Sequence, residues 1–506
     1  MNPLRDLKDE INKCVRCGTC RSICPTFRVV NREAASARGK LALIDAYMKG
    51  GIPLSETYLK HIKECTLCGA CRDSCPNGVD TLGIITAARA DAVEKQGMPY
   101  AASLVLKTLL DPGRLMPMAL KFASRIQGLL LKDSTVEMGL LSRFSLPMLG
   151  NGRLLPPLAR QFFLDMPQIK ALYERSVARP SAAQAPKQIR VAFYAGCGIN
   201  YLMPDIGVKT IDVLKKAGVE LVVPSGQICC GMPAFSMGDV PTARSMALKN
   251  LEAFEAAGFD YITTSCATCG HALKHLFRDL LGDDPALKSR VETFCAKVRD
   301  ITELLVNELG AVAKSPPGPP FFKVGETSPL APFGPPRPAP LGAGTPKVEE
   351  TKSPLGALFS KGGESTPPLW RQEFPPDAVP PDAHALSFSK DAESGAVKKK
   401  VVTYHDPCHL NRAQGIRKEP RLLIESAVGV VFKEMKFPCG CCGLGGGLST
   451  TNYYMSINIT KRKIDSIKAS GADIVATACP GCMVQLRDGL HKYGVDVKVV
   501  HVVELL

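Results

Sequence analysis

Two runs of cysteine near the start of the chain constrain it more than any other feature. Both runs follow the spacing C-x2-C-x2-C-x3-C-P; they are Cys14, Cys17, Cys20 and Cys24, then Cys65, Cys68, Cys71 and Cys75. Three thiolates on one tight loop can bind three irons of a cubane, and the fourth cysteine of such a run ligates the other cluster. Structural zinc is the alternative, but zinc sites usually combine two C-x2-C pairs. The spacing therefore predicts two [4Fe–4S] clusters with exchanged fourth ligands.

Under this exchange, Cys75 completes the first site and Cys24 completes the second. The predicted first set is Cys14, Cys17, Cys20 and Cys75, and the second is Cys65, Cys68, Cys71 and Cys24. Residues 31–51, between the two runs, have the apolar periodicity of a helix. We therefore expect an α-helical module rather than a small β-rich one.

The remaining cysteines form a second pattern, which occurs twice. The first copy has Cys197, Cys229, Cys230, Cys266 and Cys269, and the second has Cys408, Cys441, Cys442, Cys479 and Cys482. Matching cysteines are 211 to 213 residues apart, so the two regions are an internal duplication. Five thiolates per copy are one more than a cubane or a zinc ion requires.

Strand and helix patterns alternate around both copies. VAFYAG, VELVVP and FDYITT predict strands in the first copy, and KKVVTYH, ADIVATA and VDVKVVHVV predict strands in the second. This βαβ order predicts parallel sheets, with the cysteines at the carboxyl ends of the strands, where open α/β sheets place their sites.

These patterns predict a multidomain α+β protein with five zones. They are an N-terminal dicluster module (1–95), a helical connector without cysteine (96–185), a first cysteine-rich α/β domain (186–314), a disordered proline-rich linker (315–398) and a second cysteine-rich α/β domain (399–506). Residues 315–390 contain 18 of the 40 prolines, and proline is excluded from helix interiors and central strands. A proline-rich ligand for a partner is the alternative interpretation of the linker.

Composition restricts the setting in which the chain works. Twenty cysteines without a secretory signal indicate metal ligands in a reducing cytoplasm rather than disulfides. No apolar run is long enough for a transmembrane helix. The formal charge is +15, and residues 101–190 hold 13 Lys and Arg against 5 Asp and Glu. We interpret this excess as a docking face for an acidic subunit or an anionic membrane surface, and not as a nucleic-acid site.

The cysteine patterns together resemble a known family. The C-terminal repeats resemble the cysteine-rich CCG repeat of the heterodisulfide reductase catalytic subunit, and equally the iron–sulfur subunit of glycolate oxidase and related lactate dehydrogenases. The most family-specific stretch is TYHDPCHLNRAQGIRKEPR at 403–421. The resemblance implies a non-cubane [4Fe–4S] cluster on the five cysteines of one or both repeats.

The resemblance also implies an oxidoreductase subunit of electron transport. A separate FAD subunit would oxidise glycolate or lactate, and this chain would pass the electrons toward quinone, directly or through a quinone-reactive membrane partner, or toward another acceptor. Two alternatives remain open: a heterodisulfide reductase-type subunit that reduces a disulfide at its own clusters, and a non-catalytic module of a membrane redox complex. We expect a cytoplasmic protein, either free or peripheral on the inner face of the membrane.

Several other residues are candidates for supporting roles. His405, Asp406 and His409 flank Cys408 and could form hydrogen bonds to cluster sulfur, although such residues also cap turns. Cys295 and Cys439 fall outside the repeat. GLGGG after Cys442 lacks the rest of a dinucleotide fingerprint, so we expect it to let the backbone pack on a cluster. No residue is assigned to catalysis or to an organic cofactor.

Overall fold

The computed structural model describes residues 3–104, 106, 115–134, 139–143, 152–177, 188–311 and 399–506. The predicted linker at 315–398 lies outside the described residues. Within the described part, the chain mixes helices with two parallel sheets and one small antiparallel sheet.

The N-terminal module is helical, as predicted. The segment between the two cysteine runs forms the helix Ala37–Met48, whose first turn is capped by the Ser36 hydroxyl, which accepts a hydrogen bond from the Gly39 N–H at 3.1 Å. The buried core of the module includes Ile44, Ile62 and Ile84. The other helices and helical turns of the module are Leu4–Leu7, Lys8–Asn12, Thr19–Ile23, Pro25–Val30, Glu33–Ala35, Glu56–Lys63, Ala70–Asp73 and Thr81–Gln96.

The connector differs from the prediction of helical segments alone. Its helices are Tyr100–Leu104, Leu115–Leu130, Phe163–Asp165 and Pro167–Val177. It also contains an antiparallel sheet of β1 (Leu131–Asp133), β2 (Leu140–Ser142) and β3 (Leu154–Leu155). These strands are two or three residues long, too short for a sequence window to show a period of two.

Each cysteine-rich region forms a four-stranded parallel sheet, which confirms the predicted βαβ order. The first sheet contains β4 (Arg190–Phe193), β5 (Glu220–Val222), β6 (Tyr261–Thr264) and β7 (Val298–Asp300), in the order β5-β4-β6-β7. The second contains β8 (Lys400–Tyr404), β9 (Val430–Phe432), β10 (Ile474–Thr477) and β11 (Lys498–His501), in the order β9-β8-β10-β11. The two sheets have the same topology, as expected from a duplication.

Helices connect these strands in both repeats. In the first repeat they are Gly196–Tyr201, Pro204–Lys216, Met232–Met237, Val240–Glu255, Ala267–His271 with the π-helical Ala272–Leu276 and Phe277–Leu281, Pro285–Ala296, and Ile301–Glu303 with Leu304–Glu308. In the second repeat they are Cys408–Gln414, Glu419–Ser426, Leu448–Thr451, Tyr453–Ser470, Pro480–Lys492 and Val502–Leu505. Apolar residues of the two repeats form one continuous buried core. In the part of the chain that is described, no helix combines the length and apolarity needed to span a bilayer.

Candidate iron–sulfur centres

The first N-terminal set surrounds a cavity close to the surface. Cys14, Cys17, Cys20 and Cys75 all line it, so the structure brings together the four cysteines of the predicted set. The loop turns through a left-handed residue at Gly18 (φ 89°), and Arg16 is left-handed as well. Hydrogen bonds with Thr19 lower the pKa of the Cys17 thiol. This shift favours the thiolate that a metal ligand requires.

The second N-terminal set surrounds a neighbouring cavity. Cys24, Cys65, Cys68 and Cys71 line it, and Cys71 also borders the first cavity. The second loop repeats the backbone of the first, with left-handed Leu67 and Gly69 at matching positions. The fourth cysteine of each run therefore lies at the other run's cavity. Their role as ligands stays a prediction, and this geometry supports it.

A buried lysine accompanies the second set. Lys40 is 1% exposed, and its ammonium donates to the carbonyl of Ala35 at 2.5 Å. That carbonyl also accepts a hydrogen bond from the Cys24 thiol at 3.5 Å. Burial lowers the pKa of Lys40, while the thiolates of Cys65 and Cys24 oppose this shift. A cation at this position would offset the negative charge of a bound cluster.

In the first repeat, the five cysteines follow the carboxyl ends of three neighbouring strands. Cys197 follows β4, Cys229 and Cys230 follow β5, and Cys266 and Cys269 follow β6. Their thiols contact one another in a series: Cys197, Cys229, Cys230, Cys269 and Cys266. Hydrogen bonds from Cys229 and Cys269 lower the pKa of Cys230 well below its ordinary value. The structure therefore brings all five predicted residues together.

A glycine makes room for this series. A Cβ at Gly196 would lie 2.9 Å from the Cys269 sulfur, and the residue is left-handed, with φ of 62°. Glycine therefore lets the backbone approach the thiols closely. Four of the five cysteines are buried, and soft sulfur donors at such density are typical of iron–sulfur or zinc sites. The residues present fit an iron–sulfur cluster.

The second repeat assembles its cysteines differently. The sulfur atoms of Cys442 and Cys482 are 3.6 Å apart, and Cys479 contacts Cys482. Cys408 lies at the start of the helix Cys408–Gln414, with Cys442 and Cys479 among its charged neighbours. The Cys441 thiol instead contacts Cys68 of the N-terminal module. The structure therefore groups four of the five predicted cysteines, while the thiol of the fifth, Cys441, contacts the second N-terminal site.

The loop before these cysteines is held by a second buried lysine. Lys463 is 2% exposed, and its ammonium donates to the carbonyls of Phe437 and Pro438, the latter at 2.8 Å. Burial lowers its pKa to about 8. Sequence reasoning missed both Lys40 and Lys463, because each lies in an otherwise ordinary amphipathic helix.

Each of the four sites contacts the next one. The first N-terminal site lies beside the second, since Cys71 borders both cavities. The guanidinium of Arg412 donates to the carbonyls of Cys68 at 3.4 Å and Cys439 at 2.7 Å, and so joins the second N-terminal site to the second repeat. The second repeat then meets the first, because the thiol of Cys479 contacts Cys266. The order is first N-terminal site, second N-terminal site, second repeat, first repeat.

Glycines of the GLGGG segment make the contact between the module and the second repeat close. A Cβ at Gly446 would lie 2.0 Å from the Cys65 carbonyl oxygen, and one at Gly445 would lie 2.4 Å from that of Thr66. The segment therefore packs closely against the loop of the second N-terminal site, and packing on a cluster itself stays a prediction.

Arg89 links all three cysteine-bearing regions. Its guanidinium donates to the carbonyls of Ile62, Lys63 and Cys65 in the N-terminal module, of Ser236 in the first repeat and of Gly446 in the second. The side chain is 3% exposed. Nothing in the sequence of the alanine-rich helix Thr81–Gln96 indicates that Arg89 contacts other regions of the chain.

Two of the residues that flank Cys408, His409 and Asp406, have defined partners in the structure. His409 accepts or donates a hydrogen bond with Thr268 at 3.0 Å, and its ring stacks on that of His271 with centroids 5.2 Å apart. Asp406 forms a bidentate ion pair with Arg421.

Cys295 is a buried thiol that donates to the Leu273 carbonyl at 3.1 Å, and Cys439 is exposed.

Comparison with protein families agrees with this architecture. Residues 10–79 match the model of a 4Fe-4S dicluster domain, and residues 191–274 and 402–487 match that of the cysteine-rich CCG domain. The chain therefore contains one region similar to a 4Fe-4S dicluster domain and two similar to the cysteine-rich CCG domain. The expected iron–sulfur clusters and the expected resemblance are thereby confirmed.

Proteins from several organisms are similar to this chain along most of their own length. A probable glycolate oxidase iron-sulfur subunit of Bacillus subtilis is 27% identical, over 98% of this chain and 93% of that protein. One subunit of the fumarate reductase (CoM/CoB) of Methanothermobacter marburgensis is 25% identical, over 98% of this chain and 72% of that protein. Lactate utilization protein A 2 of Bacillus mycoides is 24% identical, over 63% of this chain and 98% of that protein.

Proposed function

We propose that this chain is the iron–sulfur electron-transfer subunit of a 2-hydroxyacid dehydrogenase complex. A partner FAD subunit would oxidise glycolate or lactate and deliver electrons to this chain, which passes them toward quinone or another acceptor. The observation that carries the proposal is the continuous order of four cysteine sites through three regions of the chain. The similarity to a glycolate oxidase iron-sulfur subunit and to lactate utilization protein A supports the substrate class.

The ligand sets are those predicted from the spacing. The first cubane would be held by Cys14, Cys17, Cys20 and Cys75, and the second by Cys65, Cys68, Cys71 and Cys24. The repeats would hold theirs through Cys197, Cys229, Cys230, Cys266 and Cys269, and through Cys408, Cys441, Cys442, Cys479 and Cys482. When bound, such clusters supply one-electron redox chemistry at potentials set by charge, hydrogen bonds and solvent exposure.

The chain's own residues fix the sites relative to one another. Arg412 spans the boundary between the second N-terminal site and the second repeat, and it also pairs with Asp73 at 3.6 Å. Lys40 and Lys463 place buried positive charge beside the cysteine loops. Burial of most repeat cysteines keeps water from the metal ligands. These contacts would limit movement between the second N-terminal site and the second repeat.

None of the twenty cysteines, all of which lie in the described residues, forms a disulfide, which supports the proposed cytoplasmic location. A peripheral position at the membrane would bring the last site near a quinone. The basic excess of residues 101–190 would provide the docking face.

A heterodisulfide reductase-type activity is the second candidate. It is favoured by one observation: both repeats retain five cysteines, and the two sets meet at Cys266 and Cys479. A disulfide substrate would then be reduced where the repeats adjoin, whereas a pure electron carrier does not need a second complete set.

One anaerobic experiment separates these candidates. The iron-loaded chain is mixed with the flavoprotein subunit, glycolate or lactate is added, and bleaching of the iron–sulfur absorbance is followed. We expect bleaching that requires the flavoprotein. Bleaching should be incomplete in Cys68→Ser, because electrons would stop before the repeats, and it should be complete in the control Cys295→Ala, because Cys295 lies in no predicted set. Reduced flavin with fully oxidised iron would contradict the proposal. An EPR signal that changes on addition of a thiol or disulfide would favour the second candidate.

A further inference from the structure

A threonine of the first repeat lies against a cysteine of the second. Thr268 stands between Cys266 and Cys269, in the first turn of the helix Ala267–His271. Its hydroxyl oxygen is 3.6 Å from the sulfur of Cys479, a distance compatible with a hydrogen bond to a large sulfur atom. The same sulfur also accepts a hydrogen bond from the backbone N–H of Cys482. A side chain of one repeat therefore reaches a predicted metal ligand of the other.

The Thr268 hydroxyl also contacts a histidine of the second repeat. The Nδ1 atom of His409 is 3.0 Å from the Thr268 oxygen, and the imidazole ring is held by stacking on His271. The side-chain amide of Gln414 donates to the carbonyls of His409 at 2.8 Å and of Ala267 at 3.1 Å. Because Gln414 joins the two helices in this way, the hydroxyl is fixed between the imidazole and the sulfur.

Metal binding would fix the direction of these two hydrogen bonds. A cysteine ligates iron as the thiolate, which accepts hydrogen bonds and has no proton to donate. The Thr268 hydroxyl has one proton, and donation to a charged sulfur is favoured because hydrogen bonds to ionised acceptors are roughly twice as strong as neutral ones. The Nδ1–H of His409 then donates to the Thr268 oxygen. The result is a series of hydrogen bonds from His409 through Thr268 to Cys479.

The duplication shows that this series exists in one direction. When the cysteines of the two repeats are aligned, Gly481 corresponds to Thr268 and Gly198 corresponds to His409. Glycine has no side chain, so these two positions supply no side-chain donor to Cys266, the counterpart of the accepting cysteine. The paired donor is therefore present toward the second repeat and absent at the equivalent positions toward the first.

We propose that Thr268, oriented by His409, donates a hydrogen bond to the Cys479 thiolate and raises the reduction potential of the cluster in the second repeat. Hydrogen bonds to sulfur help to set cluster potentials, because they stabilise the more negative, reduced state. Thr268 touches the ligand sulfur, and His409 is a positioning residue that acts through it. A raised potential favours entry of electrons from the N-terminal module. The inference rests on the proposed function in taking the group on Cys479 to be an iron–sulfur cluster.

The first test measures the reduction potential of this cluster in the full chain after anaerobic iron loading. The potential is followed by EPR on the signal that Cys482→Ser abolishes. We expect Thr268→Val, which removes the hydroxyl and keeps the side-chain shape, to lower the potential, and Thr268→Ser, which keeps the donor, to restore it. Thr263→Val is the matched control and should not change the potential, because Thr263 is a buried threonine of the same repeat whose hydroxyl has no partner among the described residues.

Pulsed EPR in deuterium oxide detects the hydrogen bond itself. Thr268→Val should lose one exchangeable deuteron coupling of this cluster and keep the coupling from the Cys482 N–H, and Thr268→Ala should do the same. An unchanged potential and unchanged couplings, with the cluster present, would overturn the inference and leave the proposed function standing. Loss of the cluster in both variants would show that Thr268 holds the cluster and does not tune it, which would also overturn the inference. Absence of a cluster from the second repeat of the unaltered chain would contradict both proposals.

A double variant tests the position of His409 in the series. His409→Phe keeps a ring that can stack on His271 and removes the Nδ1–H donor, so we expect a smaller fall in potential than in Thr268→Val. Combining the two substitutions should give the potential of Thr268→Val alone, because His409 acts through the hydroxyl. Shifts that add would show that His409 acts on the cluster independently, and they would overturn its role as a positioning residue.

Discussion

Replacing Arg89 with methionine should loosen the junction of the three cysteine-bearing regions. The guanidinium donates to five backbone carbonyls, at 2.8 Å to Cys65 and 2.9 Å to Gly446 among others, and methionine can replace none of these bonds. A hydrogen bond from a charged donor contributes about 1.5–3 kcal/mol, and neighbouring bonds are not additive. A buried carbonyl left without its donor costs about 1–3 kcal/mol, and we take about 3 kcal/mol as the magnitude for the whole group.

Hydrogen exchange measures this effect locally. The backbone amides of residues 62–66 should exchange roughly 100-fold faster or more in Arg89→Met, because about 3 kcal/mol corresponds to a factor of that order. Arg290→Met is the matched control, because this exposed arginine of the first repeat pairs with Glu255 of the same repeat and not with another region. Exchange within about threefold of the unaltered chain, in that loop, would refute the argument that Arg89 holds the regions together.

Three further predictions follow from the same contacts. Cys14→Ser should lose one cubane and block electron flow while the repeat clusters stay in place; loss of all iron would contradict separate sites. Gly446→Ala should displace the second repeat from the N-terminal module, because its Cβ would meet the Cys65 carbonyl. Gly429 is also left-handed but faces open space, so Gly429→Ala should cause backbone strain alone. Equal losses of iron and stability in the two variants would count against the contact. Burial raises the pKa of Asp300 to about 7, so the free energy of unfolding should fall as pH rises from about 4 through 7. Asp300→Asn should reduce this pH dependence, measured by urea unfolding at several pH values, and an unchanged dependence would contradict the reasoning.

Sequence patterns were sufficient for the features that depend on local spacing. The strands, the duplication and the helix Ala37–Met48 follow from periodicity along the chain. The grouping of thiols at the first two sites follows from a short motif, because a tight loop limits where three neighbouring cysteines can point.

Contacts between regions could not be predicted in this way. Arg89 and Gly446 are 357 residues apart, and nothing in the local sequence of either indicates the other. The same holds for Arg412 and Cys68, and for His405, whose distance from Cys442 and Cys482 depends on how three separate loops end on one sheet. The order of the sites became apparent only from these tertiary contacts.

The central claim is that four cysteine sets bind iron–sulfur clusters along one path. Its most direct test is the iron content of the full chain after anaerobic reconstitution, with EPR of the reduced form. Four filled sites predict about sixteen irons per chain and magnetic interaction between neighbouring clusters. About eight irons, with signals from the N-terminal pair alone, would contradict the claim.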